Sequence, residues 1–232
     1  MKTIEYFENF ARVLDNRAWT MDTAPWAKWA WEIVRQEIGE AENAFIVDLG
    51  TGTGVNIAYL IPYTKNARFL GVDFSPEMVK VAREKFSATD HTNVEFVQSR
   101  LDTMKMENNS VNYFISAGTF HHIKNKKKVF SLLLKALKPG GKFINVDHCK
   151  GREDYQKEFR RLREENPEAA KEDDEAFEKI KWIYEQDLNH PIEFHTDPYE
   201  FKDLLISSGF DKADVHVSFH QNYTVIVGEK SK

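Results

Sequence analysis

The chain has one cysteine, Cys149, among 232 residues, so it cannot build an internal disulfide framework, and a reducing compartment is expected. No run approaches 18 apolar residues, so no segment reads as a membrane-crossing helix. Met1 to Phe10 mixes Lys, Glu and Asn with aromatics and lacks an apolar h-region; a cytoplasmic location is the expectation. There is no internal repeat. Positive charge is not in surplus: the net charge of −5 argues against a surface that wraps nucleic acid, and the run Lys124, Lys126, Lys127, Lys128 reads as a solvated helix start. Metal-ligand spacing is also missing. His121, His122, Asp147 and His148 could in principle form a ligand set, but they follow no defined pattern and no metal is expected. The 41% hydrophobic and 30% charged fractions suit a globular domain with a small insertion.

What the chain does have is Phe45-Ile46-Val47-Asp48-Leu49-Gly50-Thr51-Gly52-Thr53-Gly54. An apolar run leading into glycines spaced G-x-G-x-G predicts a buried strand, a tight turn and a helix over about Val55 to Ile61. Such a turn can simply join two elements, or it can bring backbone close to a nucleotide-like ligand at the end of a central parallel strand. Phe69-Leu70-Gly71-Val72-Asp73 favours the second reading. It is another apolar run ending in an acid, 19 residues past Gly54, where a carboxylate can accept hydrogen bonds from a ribose diol.

Strands and helices then alternate. Ser75 reads as an N-cap with Pro76 in the first turn of a helix. Val94–Val97, Val111–Ser116 and Lys142–Asp147 read as strands, with a helix over about Lys126 to Leu137 closed by Lys138-Pro139-Gly140-Gly141. Residues 1–43 read as a helical arm rich in aromatics, whose apolar positions include Trp26, Ala30, Ile33, Val34 and Ile38. Tyr6 and Trp19 are candidates to fold over a ligand, and the arm is a candidate homodimer contact. Residues 151–195 read as a charged helical insertion: Arg152 to Asp187 holds 13 acids and 8 bases, with a thin apolar stripe of Phe159, Leu162, Phe177, Ile180, Ile183 and Tyr184. The segment reads either as a solvated face or as a cap over the site. Residues 196–232 resume with a helix after Asp197-Pro198 and a hairpin turned at Gln221-Asn222.

Taken together, Asp48 to Gly54, Val72-Asp73, Asp102 and Leu137 to Gly141 resemble the class I S-adenosylmethionine-dependent methyltransferases over about Ala44 to Glu229. Gly118-Thr119-Phe120-His121-His122-Ile123 is similar to the ubiquinone/menaquinone-methyltransferase-like group, which mostly acts on small molecules. The resemblance implies an α/β, doubly wound, Rossmann-like seven-stranded sheet, mostly parallel with its last strand antiparallel, whose cofactor-binding core spans residues 44–150. It implies S-adenosylmethionine as cofactor and a small-molecule methyl acceptor. Gly50, Gly52 and Gly54 would line the amino-acid end of the cofactor, with Asp48 holding its ammonium directly or through water. Asp73 would take the ribose hydroxyls, Phe74 would pack on the adenine, Asp102 and the adjacent Leu101 would meet the adenine edge, and Ala117 and Gly118 would face the methionine portion.

A dinucleotide oxidoreductase competes for any glycine turn, but its third glycine falls one place later than Gly54. Methyl transfer from a sulfonium needs alignment and desolvation, and a base when the nucleophile carries a proton. His121, Asp147 and His148 are the candidate catalytic groups, and His122 is a candidate substrate contact. A protein that binds the cofactor without turnover, a carboxylated-cofactor synthase and a tRNA-modifying enzyme remain alternatives. A single cysteine argues against an arsenite-type methyltransferase.

Overall fold

The structure, a computed structural model, describes residues 25–178, 194–220 and 223–232. Tyr6, Trp19, the expected helix around Phe7, residues Ile180, Ile183, Tyr184 and His190, and the Gln221-Asn222 turn lie outside the described residues.

Seven strands form one sheet in the order β3-β2-β1-β4-β5-β7-β6. They are β1 Phe45–Leu49, β2 Arg68–Asp73, β3 Val94–Gln98, β4 Val111–Ala117, β5 Leu137–His148, β6 Lys212–Val217 and β7 Tyr223–Glu229. β1 to β5 pair in parallel, and β7 runs antiparallel to both β5 and β6. The helices are α1 Pro25–Ile38, α2 Val55–Leu60, α3 Pro76–Ser87, α4 Lys126–Ala136, α5 Glu153–Glu165, α6 Pro167–Glu178 and α7 Pro198–Ser207.

The two-residue period of a strand divides the apolar side chains between the sheet's faces. Ile46, Ile115, Ile144 and Val225 pack with α1, α2 and α3, while Val47, Leu49, Phe114, Phe143 and Ile226 pack with α4 and α7. Both faces are covered, which is why the central strands read as near-continuous apolar runs. From β1 the chain builds outward through β2 and β3 on one side, then crosses to β4 and β5 on the other. A crevice therefore opens at the carboxyl ends of β1 and β4, where the strand order reverses.

Local signals set several boundaries. The Ser75 hydroxyl accepts the Met78 N–H at 3.3 Å and starts α3, with Pro76 in its first turn. Asp197 accepts the Tyr199 and Glu200 N–H groups and starts α7. Three expectations need adjustment. The helix after the glycine turn stops at Leu60 and passes into a 3-10 turn over Ile61–Tyr63. On α1 the buried side chains are Trp26, Ala30, Trp31, Val34 and Ile38, while Ile33 is half-buried, because the buried arc leans toward the Trp31 side. Lys138 to Gly141 also belong to β5 rather than to a closing turn. The β4–β5 register jumps from Val111–Leu137 to Tyr113–Lys142, so these residues bulge outward. The bulge is held at the end of β7 by Gly140 N–H to Lys230 O (3.0 Å) and Lys230 N–H to Gly141 O (2.9 Å).

The charged insertion is joined at its neck and pinned at its far end. Asp197 accepts the Arg152 N–H at 2.6 Å, bringing the start of the insertion to the start of α7. At the other end Asp173 of α6, fully buried, lies 2.7 Å from His220 Nδ1, and Arg163 of α5 donates to Phe219 O at 3.0 Å and to Asp174 at 2.6 Å. Buried charge that is paired in this way ties the elements together, since removing one partner strands the other.

Candidate active site

The glycine turn follows β1 at the crevice. Gly50, Gly52 and Gly54 all have positive φ, at +70°, +53° and +80°. A Cβ on Gly50 would sit 2.1 Å from Thr119 Oγ1, so only glycine lets this turn lie against the loop after β4. Above Gly52 the space is open, with Met78 Sδ the nearest atom at 3.9 Å. The same holds at Gly118, at φ +61° just past β4, where a Cβ would meet nothing within 4 Å. Ala117 beside it is half-buried and Gly118 is exposed.

Asp48 is fully buried. It accepts the Thr51 hydroxyl at 2.7 Å and the Asn56 amide at 3.1 Å. Burial outweighs those two bonds and raises its pKa to about 7. Its contacts in this structure are therefore with its own turn and α2, and it stands behind the glycines. Asp73, at the end of β2, accepts the Gly52 N–H and the Ser75 N–H, both at 2.9 Å. Burial raises its pKa as well, against the hydrogen bonds from Ser75, Gly52 and Phe74. The acid after β2 and the glycine turn after β1 are thus in direct contact. Phe74, next in the chain, and Leu101, just past β3, are half-buried, and Leu101 packs against the core. Asp102 is engaged by Arg100 at 3.0 and 3.3 Å and lies 3.8 Å from Lys128; the Arg100 hydrogen bond leads in holding its pKa low.

The loop that begins at Thr119 continues into a 3-10 turn, Phe120–His122, and brings the histidines to β5. His121 Nδ1 lies 2.6 Å from Asp147 Oδ1, and Asp147 Oδ2 accepts the His121 N–H at 3.1 Å. The His148 N–H donates to Asp147 Oδ1 at 2.8 Å. Burial alone would raise the Asp147 pKa, but the His121 charge and hydrogen bond, with His148 adding to them, bring it down to about 2. The His148 pKa is lowered as well, to about 3, by burial and then by the neighbouring His121, which here favours the neutral form. His121 is buried and His122 half-buried, with their rings 3.9 Å apart. The three expected catalytic groups are therefore one connected cluster.

Three members of this cluster were not expected from the sequence. Lys126 is 6% exposed and donates to Ile123 O at 2.9 Å and Phe194 O at 2.7 Å; burial lowers its pKa to about 8. The available signal was its helical spacing to Val129, Phe130 and Leu133, which puts it at the edge of the buried face of α4. His195 stacks on His121 with centroids 5.3 Å apart and planes at 13°, and Phe194 donates its N–H to His121 O at 2.5 Å. Asn145, fully buried in β5, borders the same cavity. No local pattern pointed to either of these. Cys149 is buried beside Tyr155, and its pKa is pushed up to about 12 by burial. Among the described residues no three His, Cys, Asp or Glu side chains form a group that could hold a metal ion. No helix among them is long and apolar enough to cross a membrane.

Residues 40–215 match the family described as a methyltransferase domain. The chain belongs to that family. This methyltransferase domain is of the class I, S-adenosylmethionine-dependent type and similar to the quinone-methyltransferase group, in line with its sheet order and its glycine turn. It is 32% identical over 108 residues to an arsenite methyltransferase of Halobacterium salinarum, covering 46% of this chain and 28% of that protein. With a demethylmenaquinone methyltransferase of Oceanobacillus iheyensis it is 21% identical over 206 residues, covering 86% of this chain and 79% of that protein. The methyltransferase domain thus spans about a quarter of one relative and most of the other. A solved S-adenosylmethionine-dependent methyltransferase from Aquifex aeolicus shares its fold, with a TM-score of 0.65 at 20% identity, covering 96% of this chain and 97% of that one.

Proposed function

We propose that this chain transfers a methyl group from S-adenosylmethionine to a small-molecule acceptor. The observation that carries the reading is the contact between the Gly52 N–H and Asp73, set beside the open backbone of Gly52 and Gly118 at the point where the strand order reverses. These residues fit the cofactor: Gly50, Gly52, Gly54, Ala117 and Gly118 around the methionine end, Asp73 on the ribose hydroxyls, and Phe74, Leu101 and Asp102 around the adenine. Asp48, bonded to Thr51 and Asn56, braces the turn from behind, beneath the place of the cofactor's ammonium. When bound, the cofactor supplies a methyl group on a positively charged sulfur.

The protein's own part is to align the acceptor, exclude water and receive its proton. Asp147 holds the His121 ring through Nδ1, and in this reading the imidazole so oriented receives the substrate's proton. His148, with its pKa near 3, stays neutral at pH 7 and acts as a polar wall. His122 lies alongside on the more open face and contacts the acceptor. The insertion, through its helices α5 and α6, serves as the cap. The core is then residues 44–150 completed by 196–232. A planar or apolar acceptor suits this enclosure, in keeping with the demethylmenaquinone methyltransferase among the relatives. Arsenite chemistry suits it poorly, because one buried thiol with its pKa near 12 offers no thiolate set. Cysteine usage supports the cytoplasm as its location.

The test is calorimetric titration with S-adenosylmethionine, S-adenosylhomocysteine and NAD, followed by acceptor screening with labelled methyl donor. Binding of the first two and not of NAD is expected, with label transferred to a small molecule. Binding of NAD, or of none of the three, would refute the reading. Cofactor binding without transfer to any acceptor would favour a sensor.

A further inference from the structure

A small cavity lies between β5, the start of α4 and the segment entering α7, bordered by Lys126, Asn145, Asp147, His148, Thr196 and Thr224. Its volume is about 10 Å3, the room that the centre of one water molecule needs. Two polar groups on its wall have unfilled hydrogen-bonding capacity. Asn145 is 1% exposed, and its side-chain oxygen is buried with no donor among the described residues. Lys126 carries three N–H donors, of which Ile123 O and Phe194 O take two.

An orphaned acceptor and a surplus donor on one cavity define what can occupy it. A cation would face the Lys126 ammonium. An anion would face the Asn145 oxygen and the Asp147 carboxylate. An apolar group would leave both capacities unmet at the cost of burying them. A neutral molecule that both donates and accepts satisfies them, and the volume admits only a single small one.

We propose that this cavity is a site for one structural water, which accepts from the Lys126 ammonium and donates to Asn145 Oδ1. Thr196 and Thr224, on the same wall, offer hydroxyl groups for its second hydrogen. The water completes the solvation of a lysine that fastens the returning chain to the histidine cluster. Lys126 bridges Ile123 O and Phe194 O, and the Phe194 N–H in turn holds His121 O at 2.5 Å. Asn145 and the water are thus positioning elements for that clamp, and the site stands whether or not His121 serves as a base. Burial already brings the Lys126 pKa down to about 8, with Asp147 and Glu200 opposing the fall, so losing a hydrating partner has a readable effect.

The experiment is a high-resolution crystal structure of the protein, paired with Asn145→Leu, which keeps the volume and removes the amide. A density peak within hydrogen-bond distance of both Asn145 Oδ1 and Lys126 Nζ is expected in the unaltered protein. In Asn145→Leu the Lys126 titration, followed by NMR of its labelled ε-carbon, should move down by about one unit, a tenfold change in proton affinity. No peak at that position overturns the proposal, and this holds even if the variant fails to fold. An unmoved Lys126 titration, with a raised melting temperature from removing an orphaned amide, overturns it as well.

Discussion

Asp73→Ala separates the two tasks that the structure gives this carboxylate. A carboxylate has about four lone-pair sites. The Gly52, Ser75 and Phe74 N–H groups engage three of them, which leaves one for a ribose hydroxyl. Hydrogen bonds to a charged acceptor contribute about 1.5–3 kcal/mol each. Because the hydroxyl regains water when unbound, we take about 2 kcal/mol for this bond, or roughly thirtyfold in S-adenosylmethionine affinity. Stability falls too. Ser75 is fully buried, so its N–H is left without an acceptor, at about 1–3 kcal/mol; Gly52 is half-buried, and water can replace its lost bond. For a chain of this size that is a drop in Tm of roughly 2–10 °C. Asp73→Asn offers one carbonyl oxygen to Ser75 but presents an amide NH2 toward the Gly52 N–H, so it should recover much of the Tm while binding stays weak. Calorimetry and thermal melts on both variants provide the check. A fall in Tm with cofactor affinity unchanged would mean that Asp73 only braces the glycine turn, and the ribose assignment would be lost.

Two further outcomes follow from the same corner of the fold. The Asp48 pKa is about 7 in the folded chain against 3.8 unfolded, so the native state holds the extra proton between these values. Stability from this group is full below the unfolded pKa and is lost as pH rises through about 7, an effect of up to about 4 kcal/mol for a fully buried carboxyl. Asp48→Asn should flatten that slope in thermal melts from about pH 4 to 8, and parallel curves would refute the assignment. Gly118→Ala costs about 1–2 kcal/mol for its left-handed φ but meets no neighbour within 4 Å. It should fold and yet bind S-adenosylmethionine poorly by calorimetry; undiminished binding would show that the ligand does not approach Gly118.

Most of the fold could be read from short stretches, because it rests on local physics. Apolar runs of strand length, positive-φ glycines, the Ser75 and Asp197 caps and the Pro76 and Pro198 starts each act within a few residues, so the α/β alternation was legible from the chain alone. The candidate site was legible wherever a residue's place at the end of a strand sets its position, as with Gly50, Gly52, Asp73 and Gly118. Partners brought together across long separations were not. Nothing near Asp173 in the chain announces His220, 47 residues on, and nothing near His121 announces His195 stacked against it. Asp48 was legible as the acid before the glycine turn, but its bonds to Thr51 and Asn56 were not, since the path of the turn and α2 brings those partners to it. Lys126 sits in a basic run that reads as solvated, yet the rotation of α4 places this one lysine over the core face. By itself the sequence determined the strand–glycine turn–helix pattern, the acid after β2 and the resemblance that these carry, since each depends on backbone geometry within a few residues. Only the tertiary structure decided which buried charges meet and which cavity they share, since that depends on how distant elements pack.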